Sequence, residues 1–330
     1  MSISSSNIPS VQPVCIVTHP ICSEHLTGTS HPECPKRLDA IVESLANAHL
    51  MTKDNTILAA QASKAQILTC HTATYYETVE NEVKNASPTG NTTLSTGDTQ
   101  ICLQSLNAAL YAAGSVVKAI DVVMAKTART AFCLIRPPGH HAYTNAGGGF
   151  CLFNNVAIGA RYAQQVYGIK KVLIVDWDVH HGNGTQEIFY NDPSVFYFST
   201  HNSCNYPGTG KAEETGDGDA QGTTLNCPIA PGRKSSEHVK HAFTNQLTAA
   251  MSLFRPELVL ISAGFDAHYL DPLGGFNLED QDFADLTQIV KEIAAKYAQG
   301  RIVSVLEGGY DVTNGGLASA VKAHVAALAS

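Results

Sequence analysis

Six apolar runs along the chain predict buried β-strands, because none shows the alternation of apolar and polar residues expected of a half-exposed strand. They cover 14–18, 131–135, 172–177, 195–199, 258–263 and 302–306. Helical patterns occupy 36–49, 101–126, 154–167, 235–253, 279–298 and 315–329. This alternation predicts one α/β domain in which helices flank a central, mostly parallel sheet.

The sequence indicates one domain boundary, close to the N-terminus. Residues 1–13 are rich in Ser, Pro and Asn, which predicts a short flexible arm. No repeat, low-complexity linker or break in composition interrupts 14–330, so this stretch is predicted to be a single catalytic domain.

Composition and charge limit the classes of partner. The chain has 330 residues and a net charge of −8, which argues against direct nucleic-acid binding. No window approaches 18 uninterrupted apolar residues, and the first residues lack the basic and apolar regions of a signal peptide, so a cytoplasmic protein without membrane contact is expected. Nine cysteines without paired spacing indicate reduced thiols. The sequence does not indicate an oligomeric state.

Polar residues follow four of the predicted strands. The strand at 131–135 is followed by Arg-Pro-Pro-Gly-His-His at 136–141, and the apolar residues 172–175 are followed by Asp-Trp-Asp-Val-His-His-Gly at 176–182. Asp266 follows a third strand, and Glu-Gly-Gly-Tyr at 307–310 follows a fourth. Ligands of such sheets gather where loops leave the carboxyl ends of the strands, so we expect these side chains to meet at one site.

Three of these side chains form a candidate metal site. Asp178 and His180 lie two residues apart, so in extended chain they point the same way, and Asp266 would complete the set. Three N/O ligands with an open position are typical of catalytic zinc, although Fe(II), Co(II) and Mn(II) accept the same ligands. A bare Asp-x-His often only caps a turn; within this longer string the metal interpretation is favoured.

The tandem histidines His140 and His141 supply acid–base chemistry. A water activated at a metal needs a base, and a leaving amine needs an acid, and imidazole serves both purposes near neutral pH. Asp176 and Asn183 are candidate partners that would fix the tautomers. Tyr310, after two glycines, is a candidate donor to the developing oxyanion, although a structural tyrosine is the alternative.

Two aromatic residues predict a narrow apolar slot. Phe150 follows a Gly-Gly-Gly run that ends at Gly149, and Tyr206 lies in Asn-Tyr-Pro-Gly-Thr-Gly. Facing rings suit a polymethylene chain such as the stem of lysine. Either ring is equally compatible with an ordinary core position.

Six strings closely resemble the arginase/deacetylase superfamily, and within it the class II histone deacetylases and their bacterial relatives. They are RPPGHHA (136–142), GGGFCLFNN (147–155), DWDVHHGNGTQ (176–186), YPGTG (206–210), SAGFDAHYLDPLGG (262–275) and LEGGYD (306–311). EHLTGTSHPECPKRL (24–38) resembles the first loop of that family, with Cys34 where arginine is frequent. The resemblance runs from about residue 14 to the C-terminus.

The resemblance implies a role for each candidate. Asp178, His180 and Asp266 match the zinc ligands of the family. His140 and Asp176 match its electrostatic pair, and His141 with its partner Asn183 matches the general base and acid. Tyr310 matches the tyrosine that stabilises the transition state. Phe150 and Tyr206 match the walls of the substrate channel. Gly149 matches the residue whose backbone carbonyl lies beside the substrate linker, and Arg37 matches an arginine of the inner channel. A structural potassium ion is implied at Asp176, Asp178, His180, Ser199 and Thr200, and a second near Phe189 and Val195.

The expected reaction is removal of an acyl group from the N-ε amine of lysine in a protein or peptide. Leu273 occupies the position where polyamine deacetylases of class II carry an acidic gatekeeper, which favours acyl-lysine over acetylpolyamine. Acetylpolyamine hydrolysis is the alternative, a non-catalytic acyl-lysine scaffold is disfavoured by the intact candidates, and a binuclear ureohydrolase would need further aspartates. The rim residue that grips the substrate backbone is Asp98 or Ser95.

Overall fold

The computed structural model describes residues 12–330, and its centre is an eight-stranded sheet in which every pair of neighbouring strands is parallel. In chain order its strands are β1 (Gln12–Thr18), β2 (Thr56–Leu58), β5 (Ala128–Leu134), β6 (Val172–Asp176), β7 (Val195–Asn202), β8 (Thr224–Ile229), β9 (Leu258–Ala263) and β10 (Ile302–Leu306). A separate antiparallel pair consists of β3 (Thr92–Thr93) and β4 (Gln100–Ile101).

Helices connect the strands. They are α1 (Lys36–Asn47), α2 (Lys64–Ile67), α3 (Ala73–Lys84), α4 (Ser105–Met124), α5 (Asn155–Tyr167), α6 (Asn183–Phe189), α7 (Ser235–His241), α8 (Thr248–Phe254), α9 (Asp280–Tyr297) and α10 (Gly316–Ala329). A π-helical segment, Ala242–Leu247, joins α7 to α8. Helix α5 begins and ends with ordinary capping residues: Asn154 caps it by accepting from the N–H of Ala157, and Gly168 ends it in the left-handed conformation.

Both faces of the sheet are covered. Phe132 of β5 packs against His324 of α10, whereas the thiol of its neighbour Cys133 donates to the carbonyl of Ser115 in α4. Successive strand residues point to opposite faces, so α4 and α10 lie on opposite sides of β5. This explains why the strands are apolar throughout rather than alternating.

Helix α4 has the length and hydropathy that could cross a membrane, the one such helix within residues 12–330. Most of it is buried inside the fold, where it packs on β1, β5 and α5. Its composition is therefore that of a central core helix.

The strand order places the candidate site. It runs β2-β1-β5-β10-β9-β6-β7-β8, so the last two strands of the chain insert between β5 and β6. The four strands followed by the candidate residues are therefore the four adjacent strands β5, β10, β9 and β6. Their carboxyl ends form one edge, as expected for an open α/β sheet.

The predicted fold class is confirmed, and the six predicted strands are present with ends shifted by up to three residues. Two edge strands were missed: β2 has only three residues, and β8 contains Pro228, which lacks the N–H of a central strand. The helices α2, α3 and α6 were also missed. Residues 12 and 13, predicted to belong to the arm, begin β1, and residues 1–11 lie outside the described part of the chain.

Candidate active site and metal centre

Three buried side chains converge at the edge formed by β6 and β9. The Nδ1 of His180 lies 3.1 Å from Asp178 Oδ1 and 3.1 Å from Asp266 Oδ2. The other carboxylate oxygens are held by the backbone: Asp178 Oδ2 accepts from the N–H of Gly308 at 2.8 Å, and Asp266 Oδ1 accepts from that of Val179 at 2.9 Å. Each carboxylate thus turns one oxygen towards the same imidazole nitrogen.

The charges of this cluster fit a divalent cation. Asp178 and Asp266 are buried, and burial together with the charge of Asp178 raises the pKa of Asp266 to about 7. Burial alone would lower the pKa of His180, but its hydrogen bonds to the two carboxylates raise it to about 10. Two converging carboxylate oxygens and one imidazole nitrogen are the mixed N/O donor set that Zn²⁺ accepts, and a bound ion would offset the mutual repulsion of the acids.

The predicted histidine pairs are present as hydrogen bonds. His140 Nδ1 lies 3.0 Å from Asp176 Oδ2, and His141 Nδ1 lies 2.6 Å from Asn183 Oδ1. Burial lowers the pKa of His140, but the charges of Asp176 and Asp178 outweigh it and raise the pKa well above its usual value.

The two histidines differ because carboxylates surround His140, whereas His141 has a neutral amide partner and two neighbouring histidines. Burial lowers the pKa of His141 well below the usual value, and the charges of His140 and His180 lower it further. Because the amide oxygen of Asn183 only accepts, Nδ1 of His141 carries the proton and Nε2 keeps its lone pair. His141 is therefore a neutral imidazole able to take a proton.

Tyr310 lies on the loop after β10. Its N–H is held by Asp271 Oδ2 at 2.6 Å, and the guanidinium carbon of Arg37 lies 5.0 Å from the centre of its ring. Burial, and then the charge of Asp266, raise the pKa of its phenol well above the usual value. The phenol therefore keeps its proton and can donate a hydrogen bond.

A cavity of about 230 Å³ opens over these groups. It is lined by Asp98, His141, Gly149, Phe150, His180, Asn205, Tyr206, Leu273 and Tyr310. A side chain on Gly149 would collide with the ring of His141, 2.1 Å from its Cδ2, so this position requires glycine. The predicted walls Phe150 and Tyr206 both border the cavity, and Tyr206 is 42% exposed at its entrance.

The two candidates for the rim residue, Asp98 and Ser95, make different contacts. Asp98 lines the cavity, and its Oδ1 accepts from the N–H of Gly149 at 2.7 Å. Ser95 instead directs both its N–H and its hydroxyl to Glu82. The geometry favours Asp98 for contact with a ligand.

The residues expected to hold potassium lie on the adjacent strands β6 and β7 and on the loop that follows β6. Asp176 and Ser199 are register partners on β6 and β7, and Asp178 donates its N–H to Asp176 at 3.2 Å. The hydroxyl of Thr200 is buried without a hydrogen-bond partner in the described structure. Occupancy by a monovalent cation stays a prediction, as does the second site near Phe189 and Val195.

Several buried residues around the site were assigned no role from the sequence. Glu307 Oε2 accepts from the N–H groups of Gly139 and His140, at 2.6 and 3.2 Å, and Glu33 pairs with Arg37 and Arg136. An acid directly after a five-residue apolar strand was a usable signal for Glu307. Glu33 lies in a proline-rich loop with no periodic pattern, so only its contacts reveal it.

Comparisons with known proteins agree on one family. The histone deacetylase domain profile matches residues 31–328. The chain is 40% identical over 295 residues to "Histone deacetylase 10, chloroplastic" of Oryza sativa subsp. japonica, covering 86% of this chain and 66% of that protein. It is 37% identical over 290 residues to "Polyamine deacetylase HDAC10" of Mus musculus, covering 84% of this chain and 42% of that protein. The chain thus spans less than two thirds of the length of these relatives.

A solved structure agrees with the fold. The crystal structure of the HDA15 HD domain superposes with a TM-score of 0.88 at 34% sequence identity. The match covers 97% of this chain and 89% of that one.

Proposed function

The chain belongs to the histone deacetylase family, and we propose that it is a zinc-dependent hydrolase that removes acetyl or other acyl groups from the N-ε amine of lysine in proteins or peptides. The observation that carries this proposal is the convergence of a metal-ligand set, a neutral imidazole and a protonated phenol at one cavity. Each of these three parts has a defined role in the metal-assisted hydrolysis of an amide.

Asp178, His180 and Asp266 would hold the zinc ion. When bound, the ion would act as a Lewis acid that polarises the amide carbonyl and acidifies a water molecule. The chain contributes the geometry of the donors, because backbone N–H groups of Gly308 and Val179 fix the second oxygen of each carboxylate.

His141 is proposed as the general base and acid. Its Nε2 accepts a proton from the attacking water, and Nδ1 stays bonded to Asn183 throughout. The resulting imidazolium then donates that proton to the nitrogen of the departing lysine, so that the histidine returns to its neutral form. His140, held by Asp176, contributes positive charge beside the reacting carbonyl rather than a proton.

Tyr310 is proposed as the donor to the oxyanion. Negative charge develops on the carbonyl oxygen as water attacks, and a phenolic O–H directed there stabilises it more than it stabilises the neutral carbonyl. The raised pKa of Tyr310 keeps the O–H available across the neutral range.

The cavity supports a lysine substrate. Phe150 and Tyr206 border it as apolar walls for a four-carbon stem, and Leu273 at its mouth brings no charge to attract a distal ammonium. Asp98, at the same mouth, is a candidate acceptor for a backbone N–H of a peptide. Hydrolysis of an acetylpolyamine uses the same chemistry, and it is the second candidate because one relative is named a polyamine deacetylase.

A substrate panel tests the proposal. Zinc-loaded protein is assayed with acetyl-lysine peptides, longer acyl-lysine peptides and N8-acetylspermidine, and bound metal is quantified in the same samples. We expect the highest kcat/KM on a lysine peptide, and we expect Tyr310→Phe to lose turnover by about 10²- to 10³-fold without losing metal. Preference for acetylspermidine would overturn the lysine assignment, and a parent protein with no more turnover than the background rate of Tyr310→Phe would favour a non-catalytic scaffold.

The predicted cytoplasmic location stays a prediction. The rice relative is named chloroplastic. The absence of membrane or nucleic-acid partners likewise rests on composition alone.

A further inference from the structure

Glu33 is a buried carboxylate shared by two arginines. Its Oε1 accepts from Arg37 Nη1 at 3.1 Å and from Arg136 Nε, and its Oε2 accepts from Arg136 Nη2 at 2.7 Å. All three side chains have no exposed area. Glu33 does not line the cavity and contacts none of the three metal-ligand residues, so it has no direct part in the proposed chemistry.

Arg37 connects Glu33 to the loop that carries Tyr310. Its Nε donates to the carbonyl of Gly309 at 2.6 Å, and its Nη2 donates to that of Glu307 at 2.5 Å. These carbonyls belong to two of the three residues that precede Tyr310, and the guanidinium also lies against the ring of that tyrosine. Arg37 therefore holds the backbone that carries Tyr310 and also packs against its ring.

Arg136 connects the same carboxylate to the loop that carries the tandem histidines. It begins that loop, and its remaining N–H groups donate to the carbonyls of Cys22 at 3.0 Å and His25 at 2.9 Å. The two loops also meet directly, because Glu307 accepts from the N–H of Gly139. Glu33 thus closes a second connection between them, through side chains that do not line the cavity.

We propose that Glu33 is a positioning residue, which by holding Arg37 and Arg136 together fixes the phenol of Tyr310 relative to the imidazole of His141. The inference rests on the proposed function, in which Tyr310 and His141 act in the same reaction. A single buried anion between two guanidinium groups is well suited to this task. Each planar guanidinium donates well to a carboxylate only from a narrow range of directions.

The charge of Glu33, rather than its volume, is expected to matter. Glu33→Gln keeps the shape but leaves two buried guanidinium groups side by side without an anion, so both are expected to turn away. A displacement of the reacting groups by about 1 Å lowers turnover on the order of 100-fold. We expect kcat to fall by about 10- to 100-fold and KM to change by less than about threefold, since Glu33 does not border the cavity.

The experiment combines kinetics with amide hydrogen exchange. In the zinc-loaded full chain, exchange is followed in segments 139–141 and 307–311, whose amides include four that donate to side-chain carboxylates. We expect Glu33→Gln to accelerate exchange in both segments together. Glu33→Asp keeps the charge on a shorter stem, and it is expected to fold and to give intermediate values of kcat and of exchange.

Thr287→Val is the matched control. Thr287 is fully buried, and its hydroxyl bonds only to Phe283 and His324, so its loss lowers stability without touching either loop. At a temperature where all variants are folded, we expect this variant to keep the kcat and loop exchange of the parent despite a lower Tm.

Two results would overturn the inference: Glu33→Gln with a lower Tm but a kcat within about twofold of the parent, or faster exchange in one segment only. If Glu33→Gln does not fold, the same criteria apply to Glu33→Asp. The exchange measurement needs no substrate, so it tests the coupling even if the parent protein proves inactive on every acyl-lysine peptide. Failure of the proposed function and failure of this inference are therefore distinguishable.

Discussion

The carboxylate of Asp271 holds the backbone of Tyr310: its Oδ2 accepts the N–H of the tyrosine at 2.6 Å. Its other oxygen accepts the N–H of Leu273 at 2.9 Å. One buried side chain therefore spans the proposed oxyanion donor and the residue at the cavity mouth. We expect a shift of the backbone at Leu273 to displace the backbone of Tyr310 through this carboxylate.

Asp271→Asn tests this connection. An amide side chain has a single acceptor oxygen, so one of the two N–H groups loses its acceptor. A hydrogen bond to a charged group contributes about 1.5–3 kcal/mol, so kcat/KM on an acetyl-lysine peptide is expected to fall about tenfold or more. The matched control is Asp311→Asn, because Asp311 likewise holds two N–H groups, those of Asn314 and Gly316, outside the cavity. Equal kcat/KM for the two variants would contradict the prediction.

Asn183→Asp is expected to move the acid limb of the pH–rate profile. With Asn183 as its partner, His141 has a lowered pKa because of burial and the neighbouring histidines. A carboxylate at the same position favours the imidazolium, and an opposite charge at this range raises a pKa by about 1–3 units. The base would then be protonated at higher pH, so the acid limb of kcat/KM moves to higher pH. An acid limb that stays in place or moves to lower pH would show that Asn183 does not set the basicity of His141.

The main features of the fold could be predicted because buried parallel strands are apolar on both faces. Each of the six long strands is therefore a visible run in the sequence, whereas β2 and β8 lie at the edges, with partly exposed residues and a proline. The candidate site could be predicted for a related reason. Its residues follow those runs directly, so the parallel topology alone brings Asp178, Asp266 and Tyr310 to one edge.

The supporting residues could not be predicted in the same way. Glu33 and Arg136 are 103 positions apart, and their contact depends on how the first loop folds over the ends of the strands. The choice between Asp98 and Ser95 depended on the short β3–β4 hairpin, which turns Asp98 to the cavity and Ser95 to Glu82. Such contacts follow from three-dimensional packing and leave no period or spacing in the chain.

Leu273→Glu is expected to shift substrate preference towards polyamines. Leu273 lines the cavity mouth and is 38% exposed, so a carboxylate there would face a substrate ammonium in partial contact with water. An ion pair of this kind contributes up to about 1 kcal/mol, which predicts an approximately fivefold rise in kcat/KM for N8-acetylspermidine relative to an acetyl-lysine peptide. The control is Leu273→Gln, with equal length and no charge. If the two variants give the same ratio of kcat/KM values, charge at this position does not select the substrate.

His324 makes the stability of the protein sensitive to acid. It is fully buried, and its Nδ1 lies 2.6 Å from Thr287 Oγ1 and its Nε2 lies 2.8 Å from Ser304 Oγ. Because the hydroxyl of Thr287 donates to the carbonyl of Phe283, Nδ1 must carry the proton, and Nε2 accepts from Ser304. A second proton would place a charged imidazolium in the interior of the protein, away from water. Burial accordingly lowers the pKa of His324 to about 3.

The sign of the pH dependence follows from that lowered pKa. Above about pH 6.5, the pKa of histidine in an unfolded chain, neither state binds the proton and His324 adds no slope. As the pH falls from 6.5 towards 3, only the unfolded state binds it, so this group lowers the free energy of unfolding by about 1.4 kcal/mol per pH unit. His324→Gln is expected to be less stable at pH 7 but to lose stability less steeply between pH 6 and pH 4. Urea unfolding across that range measures both slopes, and parallel curves for the variant and the parent would show that His324 is not the acid-sensitive group.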